Sequence, residues 1–357
     1  FLNMAGAAEP AAKRARTQAA ETATPPLSLV AVSAGTKGRK HTMEDVPLLV
    51  ESIDALDTPA GPEASLRALV EGARRSFYAV LDGHGGRECA EFVAAHLPAQ
   101  LAGALRTREA ATGAGNVSSS AIKEALREAF VECDQQLLAR CDELDWCDGT
   151  CAIGVLVDTH AQPPRAYVPN LGDSRAFACV QESAAAPLKC VPLSKDHSPL
   201  NATERKRIEQ AGGYVENGRV CGSLEVSRSL GDVRIKKKGL SASPDVNSFS
   251  LAPATRFVLL GCDGVWKVFS GQQAVEWLHH RLPLMDARRK EISLTLADQL
   301  AVSSLTKEGL AALQKERETC SELGLLRELL HEAVHTRNAK DNCTVLLVRL
   351  VWGEEPR

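Results

Sequence analysis

The sequence lacks three features that would assign its class at once: paired cysteine motifs, a long apolar run and a surplus of one charge. Its 11 cysteines include no C-x-x-C pair, which argues against a zinc ribbon and favours reduced, mostly buried thiols. No apolar run approaches the ~18 residues of a membrane span. The net charge of −3, from 42 basic and 45 acidic residues, is not the basic surplus that nucleic-acid binding needs. We therefore expect a globular, monomeric protein of the cytoplasm or the nucleus, with neither nucleic acid nor membrane as a partner.

The chain is long enough for one large domain with a sizeable core. Residues 1–27 are rich in Ala, Thr, Pro and charge without apolar periodicity, and we predict a disordered tail. The letters FLN before Met4 are expected to be a cloning remnant. We predict a single domain over 28–352 and a short tail over 353–357. The N-terminal tail carries a basic cluster formed by Lys13, Arg14 and Arg16. This cluster is either a solvated part of the tail or a nuclear localisation signal.

Short apolar or alternating segments bounded by Gly, Pro, Asp or Asn predict strands at 28–33, 47–52, 76–81, 151–157, 166–170, 175–180, 256–262 and 344–350. Helical spacing predicts helices at 88–96, 121–140, 202–211, 271–282, 291–301, 306–318 and 322–336. We expect Pro98 to end the first helix, Ser120 to cap the second, and 106–120 to form a surface loop. Because several strands follow one another without helices between them, the order favours an α+β domain with antiparallel sheets.

Acidic residues stand where apolar strands end or begin. The strand SFYAVL runs into Asp82, Gly83 and His84; a second strand runs into Asp263; and Asp341 precedes the last strand. In an antiparallel pair, the start of one strand lies beside the end of its neighbour. We therefore expect these three carboxylates to converge at one end of a sheet. A further acidic pair, Glu44 and Asp45, is expected nearby.

Converging carboxylates repel one another, so their joint ionisation requires a cation. An all-oxygen ligand set suits Mg²⁺ or Mn²⁺. Two such ions that share one carboxylate can lower the pKa of a bridging water and hold a phosphoryl group between them. The residues by themselves thus predict a two-metal phosphohydrolase.

Ten motifs in this order resemble the metal-dependent Ser/Thr protein phosphatases of type 2C, along nearly the whole chain after residue 28. They are MED (43–45), FYAVLDGHGG (77–86), DGTCAIGVLV (148–157), NLGDSRA (170–176), KDHSP (195–199), ERKRIEQAGGYV (204–215), GRVCGSLEVSRSLGD (218–232), PDV (244–246), FVLLGCDGVW (257–266) and KDNCTV (340–345). The segments LEVSRSLGD and CDGVWKVF are most similar to the integrin-linked-kinase-associated branch of this family. The resemblance implies a sandwich of two antiparallel β-sheets flanked by pairs of α-helices. It also implies hydrolysis of phosphoserine and phosphothreonine in protein substrates by a metal-bridging water, without a phosphoenzyme.

The resemblance also implies a role for each matching residue. Asp82 would bridge two Mg²⁺ or Mn²⁺ ions, and the carbonyl of Gly83 would bind one of them. Asp263 and Asp341 would hold one ion, and Glu44, supported by Asp45, would serve the other. His84 would be the general acid, which suits an imidazole at working pH. Asn342 would fix the loop around Asp341, and the GDSR turn, with Asp173 and Arg175, is expected to form a structural ion pair.

Two positions depart from the family pattern. Lys40 stands where an arginine usually binds the substrate phosphate, and Arg39 is its neighbour, so either could take this role. A lysine lacks the bidentate fork of arginine, which predicts weaker phosphate binding. Trp146 stands where many members have an aspartate for a weak third metal. Candidates for such a third site are Asp145 or Asp148, together with Asp263.

Two alternative functions differ in class from an active phosphatase. The first is a catalytically weak phosphatase-fold protein that binds phosphosites, for which Lys40 is the only favourable feature. The second is a two-metal enzyme acting on a phosphodiester. Residues 195–245 are expected to form a flap beside the site, in which the basic run 236–238 either is solvated or guides acidic substrates. Residues 285–325 are an extra helical stretch to which we assign no function.

Overall fold

The computed structural model describes residues 25–56, 74–112, 117–301, 313 and 315–353, with the backbone alone described at 297–301. Thirteen strands are present within these residues. They are β1 (Leu27–Thr36), β2 (Val46–Val50), β3 (Arg75–His84), β4 (Gly149–Asp158), β5 (Arg165–Leu171), β6 (Arg175–Val180), β7 (Lys189–Pro192), β8 (Val215–Glu216), β9 (Arg219–Val220), β10 (Leu230–Gly231), β11 (Asp245–Ser250), β12 (Thr255–Gly261) and β13 (Cys343–Trp352).

The strands form two main antiparallel sheets. The first has the order β1-β13-β12-β6-β7, and the second has the order β11-β5-β4-β3-β2 with β10 beside β4. A separate small sheet joins β8 to β9. The α+β class and the antiparallel sandwich predicted from the sequence are confirmed. All eight predicted strands are present, and five were missed. Of these, β7 and β11 are polar edge strands without an apolar run, and β8, β9 and β10 have only two residues each.

The central strands are apolar on both sides because both faces of each sheet are covered. Along β3, Phe77 and Leu81 belong to the core under one pair of helices, whereas Tyr78 and Val80 belong to the core between the sheets. Successive side chains of a strand point to opposite faces, so a strand covered on both faces reads as a continuous apolar run. This explains why the segment before Asp82 has no polar alternation.

Two helix pairs cover the outer faces of the sheets. Helices α1 (Glu88–Thr112) and α2 (Ser119–Leu144) pack on the second sheet. Two short helices follow, α3 (Ala202–Gln210) and α4 (Val233–Lys236), and a single turn, α5 (Asp263–Trp266), follows β12. Helices α6 (Gly271–Ala301) and α7 (Glu322–His331), with a π-helical turn over Glu332–Thr336, pack on the first sheet.

Several predicted helix boundaries are wrong. The first helix does not end at Pro98 but continues to residue 112, because Pro98 is buried in the interface that also buries its neighbours on this helix. The second helix is capped by Ser118, whose Oγ accepts a hydrogen bond from the amide of Ala121, and not by Ser120. The predicted loop 106–120 is thus partly helical. The predicted helices 271–282 and 291–301 are one helix that contains Pro283.

Other sequence predictions lie largely or wholly outside the described residues. These are the tail up to residue 24, most of the helix at 306–318 and the tail from residue 354. The first strand begins at Leu27, within the predicted tail by one residue. Among the described residues, none of the helices is long and apolar enough to cross a membrane.

Candidate active site

A cleft of about 480 Å³ opens where strands of both sheets end. The end of β3 supplies Asp82, Gly83 and His84. The turn α5 after β12 begins with Asp263, and Asp341 lies just before β13. The loop between β1 and β2 adds Lys40 and Glu44 to the lining. The structure thus brings together the acidic strand ends that the sequence predicted to converge, because β12 and β13 are antiparallel neighbours and β3 faces them across the sandwich.

Three carboxylates meet at the floor of the cleft. Ligand oxygens of Asp82, Asp173 and Asp263 all lie within 4.8 Å of one another. Burial and then the charges of Asp45, Asp263 and Asp173 raise the pKa of Asp82 well above its ordinary range. Burial and the charges of Asp263 and Asp196 raise the pKa of Asp173 to about 6. Without a cation, this group therefore resists full ionisation.

Asp45 adds a second, deeper acidic group behind the first. Its side chain is 1% exposed, and neither carboxylate oxygen has a hydrogen-bond partner among the described residues. Burial, together with the charges of Asp263 and Asp341, raises the pKa of Asp45 to about 6. Oxygens of Asp45 and Asp82 and the sulfur of Cys262 also lie within 4.8 Å of one another. Burial raises the pKa of the Cys262 thiol, which makes it a poor ligand beside carboxylates.

The donor set fits hard divalent cations. Apart from that thiol, the groups that converge are carboxylates, and Mg²⁺ and Mn²⁺ prefer oxygen ligands. Unpartnered buried carboxylate oxygens, such as those of Asp45, are costly unless a cation compensates them. Gly83 brings the main chain into this group: a Cβ at residue 83 would overlap the carbonyl oxygen of Glu44, so only glycine allows this approach.

Two ammonium groups lie at the cleft. Nζ of Lys40 is 3.1 Å from Oδ1 of Asp341, and Nζ of Lys267 is 2.5 Å from Oδ2 of Asp263 and 3.3 Å from Oδ2 of Asp341. Although burial alone raises the pKa of Asp341, Lys40 and Lys267 outweigh burial and lower it. Arg39 is exposed and is absent from the lining of the cleft. Of the two candidate phosphate-binding residues, the structure brings Lys40 to the acids.

His84 projects into the cleft and is bonded to an aspartate that sequence reasoning missed. Its Nε2 lies 2.9 Å from Oδ2 of Asp232, and Oγ of Ser229 donates to the same oxygen at 2.5 Å. Burial lowers the pKa of His84, but the hydrogen bond to Asp232 and the nearby carboxylates outweigh burial, and the pKa is raised. Both Ser229 and Asp232 belong to the motif LEVSRSLGD, but only the tertiary structure shows that this motif reaches His84.

Asn342 fixes the loop that carries Lys40 and Glu44. Its Oδ1 accepts a hydrogen bond from the amide of Glu44 at 2.8 Å, and its Nδ2 donates to the carbonyls of Lys37 and Thr42 at 3.0 and 2.9 Å. The backbone amide of Asn342 donates to Oδ1 of Asp341 at 3.0 Å. The sequence assigned Asn342 to the loop around Asp341, whereas its side chain mainly holds the loop of residues 37–44.

The expected ion pair of the GDSR turn is wrong. Arg175 pairs with Asp196, at 2.8 and 2.7 Å, which leaves Asp173 free to join the acidic group. Neither candidate for a third metal site, Asp145 or Asp148, lines the cleft with Asp263. Asp145 is the C-cap of α2, and Oδ2 of Asp148 accepts the amide of Cys89 at the start of α1. The sequence did carry a signal for Asp173, since this residue and Gly172 directly follow the apolar strand β5.

The predicted flap borders the cleft on one side. Residues of its turn between 219 and 226 line the opening, and Cys147 and Ile235 complete that side. The lysines of the basic run 236–238 lie in two different environments. Nζ of Lys236 is 3.1 Å from Oδ1 of the buried Asp134, whereas Lys237 and Lys238 are exposed. Lys236 therefore stabilises the packing of the flap on α2, and only the last two lysines are available to a substrate.

Comparisons with known proteins indicate one family. The family model "Protein phosphatase 2C" matches residues 36–310. A rice protein named "Probable protein phosphatase 2C 67" is 34% identical over 331 residues, covering 90% of this chain and 75% of its own. The bovine "Integrin-linked kinase-associated serine/threonine phosphatase 2C" is 34% identical over 326 residues, covering 91% of this chain and 77% of its own.

Solved structures share the same fold. A serine-threonine phosphatase 2C from Toxoplasma gondii superposes with a TM-score of 0.64 at 22% identity, over 92% of this chain and 100% of that one. A C. elegans sex determining protein superposes with a TM-score of 0.65 at 22% identity, over 90% of this chain and 65% of that one. At this identity, the likeness establishes the two-sheet architecture alone.

Proposed function

The chain belongs to the protein phosphatase 2C family, and we propose that it hydrolyses phosphoserine and phosphothreonine in proteins with two Mg²⁺ or Mn²⁺ ions at the cleft. The observation that carries this proposal is the group of Asp82, Asp173 and Asp263, whose oxygens lie within 4.8 Å of one another. Carboxylates this close, with the pKa values of Asp82 and Asp173 raised, suit a site for divalent cations.

We assign the ions to residues whose positions meet at the cleft. Asp82 would be shared between them, with the carbonyl of Gly83 beside it, Asp263 and Asp341 on one side and Glu44 on the other. Asp45 lies behind Asp82 and would support Glu44. When bound, the ions supply Lewis-acid polarisation of the phosphate and lower the pKa of a bound water.

The remaining residues bind substrate and move a proton. Lys40 is 48% exposed and close to Asp341, where its ammonium can contact a substrate phosphate. The raised pKa of His84 favours the imidazolium, which can donate a proton to the departing serine or threonine oxygen. Asp232 holds this imidazole in one orientation through Nε2. A departing alkoxide is a poor leaving group, so this proton transfer matters most for phosphoserine and phosphothreonine.

The test is phosphate release from a phosphothreonine peptide with Mn²⁺, with Mg²⁺ and with EDTA. We expect turnover that requires the metal and that falls at least a hundredfold in Asp263→Asn. Asp142→Asn, an exposed change on α2, is the matched control and should behave like the wild type. The same assay with a phosphodiester tests the alternative of a two-metal enzyme acting on phosphodiesters, since we expect the monoester to be preferred. Absence of turnover in folded, metal-saturated protein would contradict the proposal and favour a phosphosite-binding protein.

Other predictions about the protein stay predictions. Localisation in the cytoplasm or the nucleus, a monomeric state and a single domain over 28–352 rest on the sequence. The basic cluster of the N-terminal tail lies outside the described residues. The choice between Mg²⁺ and Mn²⁺ is decided by the assay above.

A further inference from the structure

Lys267 lies at the oxygens where a metal ion is expected. It follows the single turn α5, four residues after Asp263, and its backbone amide donates to the Asp263 carbonyl at 2.8 Å. This turn directs the side chain back over the acids, where Nζ lies 2.5 Å from Asp263 Oδ2 and 3.3 Å from Asp341 Oδ2. One ammonium thus joins two carboxylates that flank neighbouring strands of the first sheet, one after β12 and one before β13.

Asp341 is held by cations on both of its oxygens. Lys40 contacts Oδ1 at 3.1 Å, and Lys267 contacts Oδ2 at 3.3 Å. Lys40 enters from the loop between β1 and β2, on the side of Glu44. Of these two lysines, Lys267 also contacts Asp263. It therefore lies between the pair of acids that the proposed function assigns to one ion.

An ammonium and a divalent cation cannot share these oxygens at no cost. A metal that binds Asp263 and Asp341 must break the ion pairs of Lys267 and then remain close to its charge. The repulsion between a unit charge and a dication at ~5 Å is substantial even when water screens it. Lys267 is 53% exposed and has a long flexible stem, so it can move aside into solvent, but doing so forfeits two charge-assisted contacts.

We propose that Lys267 is a resident competitor for the metal: it occupies the Asp263–Asp341 pair in the metal-free protein and lowers the affinity of this position for divalent cations. The inference rests on the proposed two-metal function. One consequence is that the two metal positions differ in affinity, because Asp82 and Glu44, which the proposed function assigns to the other ion, form no ion pair with a lysine in the described part of the chain. The weaker position then loads only when free metal is abundant.

The experiment is calorimetric titration of Mn²⁺ alone into the metal-free full chain, without substrate. We compare the wild type with Lys267→Met, which keeps the apolar stem and removes the charge. We expect the Kd of the weaker Mn²⁺ position to fall about tenfold or more. Lys340→Met is the matched control, because Lys340 is exposed, adjoins Asp341 and makes no ion pair among the described residues. Its Kd should stay within about twofold of the wild type.

Each outcome has a distinct meaning. Equal or weaker Mn²⁺ binding in Lys267→Met, with an unchanged thermal unfolding midpoint, would overturn the competitor role and leave the phosphatase proposal intact. An equal gain in Lys340→Met would overturn it as well, by showing a general effect of net charge. If neither protein binds Mn²⁺, the proposed metal function itself fails. Adding Asp263→Asn to Lys267→Met should abolish the stronger binding. This result would show that the measured heat comes from Mn²⁺ binding at Asp263 and Asp341.

Discussion

The imidazole of His84 and the carboxylate of Asp232 are joined by a contact of 2.9 Å across 148 residues of sequence. Asp232 is in the left-handed region at φ 52°, and its amide donates to the carbonyl of Asp148 at 2.9 Å. Gly149, the next residue, makes room for the pair, since a Cβ there would overlap both side chains. The flap, the end of β3 and the start of β4 therefore meet at the proposed general acid.

Replacing Asp232 should impair the proton transfer more than the binding of substrate. In Asp232→Asn we expect kcat for a phosphothreonine peptide to fall ten- to hundredfold, with KM within about twofold, because His84 loses its orienting partner. With p-nitrophenyl phosphate, whose leaving group needs no proton, kcat should change much less. Steady-state kinetics on both substrates measure the difference. Ser229→Ala, which keeps the His84–Asp232 contact, is the control, and equal losses on the two substrates would contradict a role in proton donation.

Lys40 and Arg39 can be separated by reversing each charge. We expect Lys40→Glu to raise KM for a phosphopeptide by about tenfold or more, because a carboxylate would face the substrate phosphate. Arg39→Glu makes the same change one residue away, outside the cleft, and should alter KM less than threefold. Lys40→Arg should lower KM, since guanidinium binds phosphate bidentately. A larger effect from Arg39 than from Lys40 would assign the phosphate to Arg39.

Asn342 should stabilise the loop that carries Lys40 and Glu44. Asn342→Ala leaves the partly buried amide of Glu44 and two carbonyls without their partner, and we expect a loss of about 2–3 kcal/mol in the free energy of unfolding. Urea unfolding measures the loss, and hydrogen exchange of the Glu44 amide reports whether the loop opens. An unchanged exchange rate at this amide would show that Asn342 does not hold the loop.

The flap has an acid-sensitive anchor in Glu204. Its buried carboxylate bonds to Arg228 at 2.7 and 3.0 Å, to Ser227 at 2.7 Å and to Arg207 at 2.6 Å. Burial alone raises the pKa of Glu204, but these partners outweigh it and lower the pKa to about 2. A depressed carboxylate pKa stabilises the fold at pH values above the unfolded-state pKa, and this contribution is lost as the pH falls.

We therefore expect Glu204→Gln to cost on the order of 2 kcal/mol at neutral pH. The difference from the wild type should persist down to about pH 4.5 and shrink as the pH falls towards about 2. Urea unfolding of both proteins across this range measures it. Glu209→Gln, an exposed change on the same helix, should stay within about 0.5 kcal/mol of the wild type. A difference independent of pH would contradict the role of this carboxylate.

The sequence by itself determined the eight apolar strands, the antiparallel α+β class, the acids that end those strands and the family resemblance. These are local properties: a strand buried on both faces must be apolar, and the polar residue at its end marks where the chain leaves the core. Helix ends were predicted less well, because Pro98 continues in a helix whose packing outweighs the local cost of proline.

Only the tertiary structure decided which side chains meet. It paired Arg175 with Asp196 and so freed Asp173 for the acidic group, and it set Asp232 against His84. Likewise, it aimed Lys267 at Asp263 and Asp341. Of these contacts, only that of Lys267 with Asp263 follows from spacing, since the two residues are four apart on one turn. The others join residues from different strands, turns and the flap. Their geometry is set by how the two sheets stack and where the loops cross at the end of the sandwich.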